Sequence, residues 1–399
     1  MTEIWALSAL WVGLALIATL ASIWLRVATA LSEIVVGTVA QLLIGALAGT
    51  ALLATDSVWI RYLSGTGAIV LTFLAGAELD PQVFRRQWKE TSAIGLIGFF
   101  APFLGCAAAA YWVLGWEREP SLLAGIAMST TSVAVVYAVM LEFGLNKTDY
   151  GKMVLAACFI NDLGTVIGLG LLFAPFTFKT LVFVGGVLVA ALLLPWLTPR
   201  FFRRYGGRPS ELETKYLLLC LFGLGALAGW ADSEPVLPAY LIGMVLAGTV
   251  GKDHVLVRRL RTLTFGLLTP FYFIRAGSFV SVPALIAAPA AFLVMLLVKM
   301  ATKFVGIYPA TIAFRSPRKE GMYTTLLMST GLTFGTISAL FGLSHNIITQ
   351  AQYSALVAAV VGSAVIPTLI ANAWFMPRHL IKDPEVAPSA PAAESAKRG

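Results

Sequence analysis

Long apolar runs separated by short polar turns dominate the chain. Thirteen runs can be drawn, at about 4–25, 31–51, 61–79, 91–115, 121–141, 151–174, 179–198, 213–231, 236–250, 262–280, 283–311, 321–342 and 351–376. Most are long enough to cross the ~30 Å hydrocarbon core as a helix. Hydrocarbon offers no water to open backbone groups, so each run is read as helical. The first run carries Glu3 in place of a basic leader and spans uncharged from Ile4 to Leu25. It therefore reads as a membrane helix rather than a cleaved signal. A transmembrane domain is expected over 1–378. The remaining 379–399, rich in Pro, Ala, Ser and Glu from about Lys382, reads as a short disordered tail. No nucleotide-binding or other soluble domain is expected after it.

Composition sharpens this picture. The 399 residues are 58% hydrophobic and 12% charged, against ~45–50% and ~25% in ordinary soluble domains. The mean hydropathy is +0.85. Too few polar side chains exist to cover a water-facing surface, which excludes a soluble enzyme. The net charge of +8 does not indicate nucleic acid, because the basic residues sit in short turns. Arg26, Arg85, Arg86, Lys89, Lys147, Lys152, Arg200, Arg203, Arg204, Arg208, Lys215, Lys252, Arg258, Arg259, Arg261, Arg315, Arg318, Lys319, Arg378, Lys382, Lys397 and Arg398 all fall on one side of the thirteen-run topology. Only Arg61, Arg118 and Lys179 fall on the other. This bias puts the C-terminus in the cytoplasm and the N-terminus outside a cytoplasmic (inner) membrane. Cys106, Cys158 and Cys220 form no disulfide or metal-ligand spacing. His254, His345 and His379 lie far apart in loops or at a helix end, so neither a metal centre nor a cofactor is expected.

One internal echo stands out. Met128-Ser129-Thr130-Thr131-Ser132-Val133 in the fifth run matches Met328-Ser329-Thr330-Gly331-Leu332-Thr333 in the twelfth. Seven runs separate them, so they cross the bilayer in opposite senses. A weaker parallel joins Phe73–Gly76 in the third run to Phe273–Gly277 in the tenth. The expectation is two inverted six-helix halves, about 4–174 and 213–376, with 179–198 as a linker helix. Both echo motifs are polar for mid-membrane sequence. Their hydroxyls can bond the preceding turn's carbonyl and loosen the helix. Gly331 and Gly335 weaken the twelfth run further. Broken helices are tolerated where they line a cavity, and their free carbonyls and amides bind ions.

Asp162, in Asn161-Asp162-Leu-Gly164, is the one carboxylate placed near the centre of a run. Such a group costs ~2.5–3.5 kcal/mol on insertion scales. Its functional reading is an acid that holds a proton and a cation by turns, with the Asn161 carbonyl as a further ligand. Three cations also lie within runs: Arg275, Lys299 and Lys303. Lys299 and Lys303 share one helix face and read either as electrostatic support for the broken helices or as side chains snorkelling to the surface. No partner for Arg275 is evident. Glu33, Glu78 and Asp80 sit at run ends and read as interfacially solvated.

Taken in this order, the motifs resemble those of the monovalent cation:proton antiporters, in the branch of bacterial sodium/proton exchangers and potassium-efflux proteins. The marks are Ser32-Glu33-Ile-Val-Val-Gly37, Phe73-Leu-Ala-Gly76-Ala-Glu78-Leu-Asp80, Thr130–Val133, Asn161-Asp162, Phe271-Tyr-Phe…Gly277 and Lys303…Gly306. The resemblance spans about 5–376. It implies an all-helical fold of inverted halves with crossed broken helices, a core domain and a dimerisation domain, hence a homodimer. It implies that Asp162 carries ion and proton, that Thr130, Thr131 and Ser132 supply ligands, and that Thr330, Gly331 and Thr333 form the crossing partner. Members with two adjacent aspartates are associated with a two-proton cycle. Asn161 at the first position favours electroneutral exchange, whereas Lys303 is more typical of the paired-aspartate members. Arg275 is unusual in its motif. The potassium-efflux members usually carry a cytoplasmic nucleotide-binding domain, which is not expected here.

The resulting expectation is an antiporter serving pH homeostasis that exchanges Na+ (or K+) for H+ by elevator-type alternating access, with no enzymatic chemistry. Two other readings stay open: a proton-uncoupled K+ or cation channel, and a sodium-coupled symporter of an organic anion on a related fold. An intramembrane protease is excluded, since it needs a second membrane acid or a Ser/His pair.

Overall fold

The computed structural model describes residues 2–25, 28–48, 53–77, 81–173, 177–231, 233, 235–279, 286 and 289–380. Arg26, Glu78, Asp80 and the tail from 381 lie outside them. The described residues are almost wholly helical. Along the first half run α1 (Thr2–Leu25), α2 (Thr29–Ala48), α3 (Val58–Ala77), α4 (Pro81–Trp112), α5 (Arg118–Ser129), α6 (Val133–Glu142) and α7 (Asp149–Phe173). Helix α8 (Phe178–Tyr205) follows. The second half holds α9 (Leu212–Trp230), α10 (Val236–Leu246), α11 (His254–Leu263), α12 (Thr269–Ser278), α13 (Pro289–Ala313), α14 (Arg318–Met328), α15 (Thr333–Ser344) and α16 (Gln350–Ile370).

Among the described residues, ten helices are long and apolar enough to cross a bilayer, counting α5–α6 and α14–α15 as one crossing each. The second, ninth and tenth predicted runs are the shorter ones. The tenth begins well before its expected limits. Its helix starts at His254, eight residues before the apolar run, because Asp253 caps the Val255 and Leu256 amides at 3.1 and 3.0 Å. The added helix α11 carries Arg258, Arg259 and Arg261, too polar to register as a membrane run. A π-turn over Thr264–Leu268 joins it to α12.

Two helix crossings repeat with inverted order. At one, α3 meets α10 at Gly76 and Gly243; a Cβ on Gly76 would run into the backbone of Tyr240 and Met244. At the other, α2 meets α12 at Gly37 and Gly277; a Cβ on Gly277 would run into the backbone of Ile34 and Thr38. The third run thus pairs with the ninth as the tenth pairs with the second, the relation expected of inverted halves. Only glycine permits such close backbone approach between membrane helices. A second group forms where α4 packs on α5, α7 and α13, and α13 on α14 and α16. Helices α1 and α8 turn most of their apolar surface outward, as lipid-facing helices do.

Candidate functional site

The fifth and twelfth runs are both interrupted at the echo motifs. Helix α5 stops at Ser129, and Thr130 and Ser132 take extended backbone before α6 begins at Val133. Helix α14 stops at Met328, and α15 begins at Thr333. Thr130 Oγ1 donates to the Ala127 carbonyl at 3.1 Å, and Thr330 Oγ1 to the Leu327 carbonyl at 2.8 Å. The two threonines therefore terminate their helices by the same back-bond.

The interruptions cross. The Ser132 amide donates to the Thr330 carbonyl at 3.1 Å. Thr131 Oγ1 donates to the Met328 carbonyl at 2.7 Å, and the Ser132 and Thr333 hydroxyls lie 3.4 Å apart. Each half thus satisfies backbone groups that the other half's break leaves open. Tyr272 of α12 joins this network through a hydrogen bond with Thr333.

Asp162 lies on α7 beside the first break, with the backbone N–H of Val133 directed to its carboxylate. The positive end of α6 thereby faces the acid. Asp162 is buried but retains 4% exposure, and its Oδ1 has no hydrogen-bond partner among the described residues. Asn161 turns to α4, where Nδ2 donates to the Gly95 carbonyl at 3.4 Å. Its Oδ1 is likewise buried and unpartnered. Asp162 and Asn161 thus each keep one buried acceptor without a donor among the described residues, a rare condition in folded proteins.

Both lysines of α13 reach inward, and the snorkelling reading fails for each. Lys299 and Lys303 are wholly buried. Lys303 Nζ donates to Thr131 Oγ1 at 2.8 Å. Lys299 Nζ donates to Ser363 Oγ of α16 at 2.9 Å and lies against Gly331, where a Cβ would collide with it. One ammonium therefore serves each break, near the carbonyl ends of α5 and α14, where cations are favoured. Both also act on Asp162 electrostatically, although among the described residues none lies within 4.0 Å of it as an ion pair.

Arg275 does not join this group. It sits near the end of α12, where Nε donates to the Thr55 carbonyl at 2.8 Å, Nη2 lies 3.6 Å from Asp56, and the guanidinium stacks on Phe279. Glu33 corrects another expectation: it is buried, with Glu142 as its charged neighbour, rather than solvated at an interface. Ser363 and Tyr272 are not singled out by sequence. Ser363 carries a signal, as an isolated hydroxyl within an apolar run; Tyr272 lies hidden in an aromatic motif.

Known proteins resemble this chain. An Na+/H+ antiporter of Enterococcus hirae is 26% identical over 354 residues, covering 83% of this chain and 90% of that protein. The glutathione-regulated potassium-efflux system protein KefC of Salmonella arizonae is 25% identical over 311 residues, covering 71% of this chain. The chain spans about half the length of KefC, 47%. The solved sodium proton antiporter MjNhaP1 of Methanocaldococcus jannaschii superposes with a TM-score of 0.66 at 17% identity, covering 93% of this chain and 95% of that one. That likeness concerns the fold. The family described as sodium/hydrogen exchanger, transmembrane, matches residues 13–376. The chain, a transporter and not an enzyme, belongs to that sodium/hydrogen exchanger family.

Proposed function

We propose that the protein exchanges Na+, or K+, for H+ electroneutrally, with Asp162 as the shared docking point. The observation that carries this reading is the buried Asp162 carboxylate with an unpartnered oxygen beside two crossed helix breaks. Deprotonated Asp162 takes the cation, with Asn161 Oδ1 and oxygens of Thr130, Thr131 and Ser132 as further ligands. Protonation removes the charge that holds it. Lys303 and Lys299 balance the carbonyl ends of the breaks, so the site stays intact while its occupant changes.

In this reading the halves 4–174 and 213–376 are related by inversion, with 179–198 between them. Helices α4–α7 and α13–α16 move as one body against the remainder, as a homodimer in the cytoplasmic membrane with the C-terminus inside. The division of packing into two groups supports that movement.

The test is dissipation of a pH gradient in proteoliposomes challenged with Na+, K+ or Li+, with and without a voltage clamp by ionophore. The expected result is cation-dependent proton movement that the clamp does not alter. A rate limited by membrane voltage contradicts electroneutrality. Cation flux without proton movement contradicts exchange and favours a channel.

A further inference from the structure

A second site lies away from the breaks, at the end of the molecule where α14 begins and α16 ends. A cavity of about 410 Å³ opens there, lined by Lys319, Asn372, Trp374, Arg378 and His379 among others. Its volume falls in the range of small-ligand sites, ~300–1,000 Å³. The end of α16 passes into a π-turn over Ala371–Phe375 that itself lines the cavity, a distortion frequent at functional sites.

The lining is built for an anion. Lys319 and Arg378 carry no ion pair among the described residues. Glu320, next to Lys319 along the chain, is already held by His379 at 2.9 Å. Lys319 lies in the first turn of α14, whose free amides and dipole favour negative charge. A second observation is independent of these charges. Tyr323 donates to Asn372 Oδ1 at 2.9 Å, which fixes the amide. Asn372 is one of the residues lining the cavity, and its remaining Nδ2 is buried with no partner among the described residues. A buried donor without an acceptor is costly unless a ligand supplies one.

The surroundings select the source of that anion. Trp374 is 70% exposed at the end of a membrane-spanning helix, the headgroup level where tryptophan anchors. Ile366 and Leu369, also exposed, lie on the turns of α16 that precede it, giving acyl chains an apolar flank. We propose that this cavity binds the phosphate of an anionic phospholipid from the adjoining leaflet, through Lys319, Arg378 and the Asn372 amide. The proposal rests on the membrane-spanning fold and not on which ion the protein exchanges. It stands or falls separately from the antiport reading.

The test is native mass spectrometry of the full-length protein with phosphatidylglycerol or phosphatidylcholine at equal mole fraction. Phosphatidylglycerol should be retained preferentially, and K319Q/R378Q should weaken that retention roughly tenfold or more. A control, R203Q/R204Q, removes two basic residues elsewhere and should leave it unchanged. N372D keeps the acceptor for Tyr323 but replaces the donor with a charge, and should also weaken retention; all variants are compared at matched thermal midpoints. Millimolar inorganic phosphate should not displace the lipid. Equal retention by wild type and K319Q/R378Q overturns the site. Equal retention of the two lipids overturns the anion, and displacement by inorganic phosphate overturns the lipid in favour of a soluble ligand.

Discussion

Thr131 joins the two breaks through a single hydroxyl. Its hydroxyl donates to the Met328 carbonyl of the opposite half and accepts from the Lys303 ammonium. Thr131→Val leaves both buried and unpaired, so it should cost about 1–3 kcal/mol or more of stability. Thr131→Ser should keep most of it; thermal unfolding of the detergent-purified variants checks the difference. The hydroxyls themselves are readable in the sequence, since a Ser/Thr run inside an apolar stretch loosens its helix and here occurs twice. The lysines are readable only in part. Their spacing puts Lys299 and Lys303 on one face, but whether that face meets lipid or the breaks depends on how α13 packs. Glu33 and Arg275 are misread from sequence for the same reason: their neighbours, Glu142 and Asp56, are far away along the chain.

At the scale of elements, the glycines at the crossings divide from those facing open space. Gly76 of α3 abuts the backbone of α10, whereas Gly65 on the same helix is exposed with nothing within 4 Å of its Cβ position. Gly76→Ala should destabilise the detergent-solubilised protein by about 1–3 kcal/mol, because backbone cannot yield as a side chain does. Gly65→Ala should instead be neutral or stabilising by about 0.5–1 kcal/mol, since it removes only the entropic weakness of glycine in a helix. Thermal unfolding in one detergent measures both, and equal effects would mean that the crossing is looser than described. Hydropathy locates the thirteen runs because each must be apolar to cross. It does not locate α11 or the two π-turns, which depend on capping and on local packing rather than on composition.

For the whole molecule, the one-sided placement of Lys and Arg predicts topology. In a cysteine-free background, single cysteines at Glu117 and Lys179 should react with an impermeant maleimide in intact cells. Cysteines at Arg204 and Lys319 should react only after permeabilisation. The inverted echo predicts a plan of two opposed halves from six residues in each. The contacts that join the halves, such as the Ser132 amide on the Thr330 carbonyl, are backbone geometry that no side-chain pattern encodes. In the proposed exchange, one buried carboxylate alternates between a proton and an alkali cation. The direct measurement is cation-driven proton movement in proteoliposomes carrying folded Asp162→Asn protein, beside wild type. Exchange should fall to the level of protein-free vesicles. Exchange at the wild-type rate would contradict that alternation.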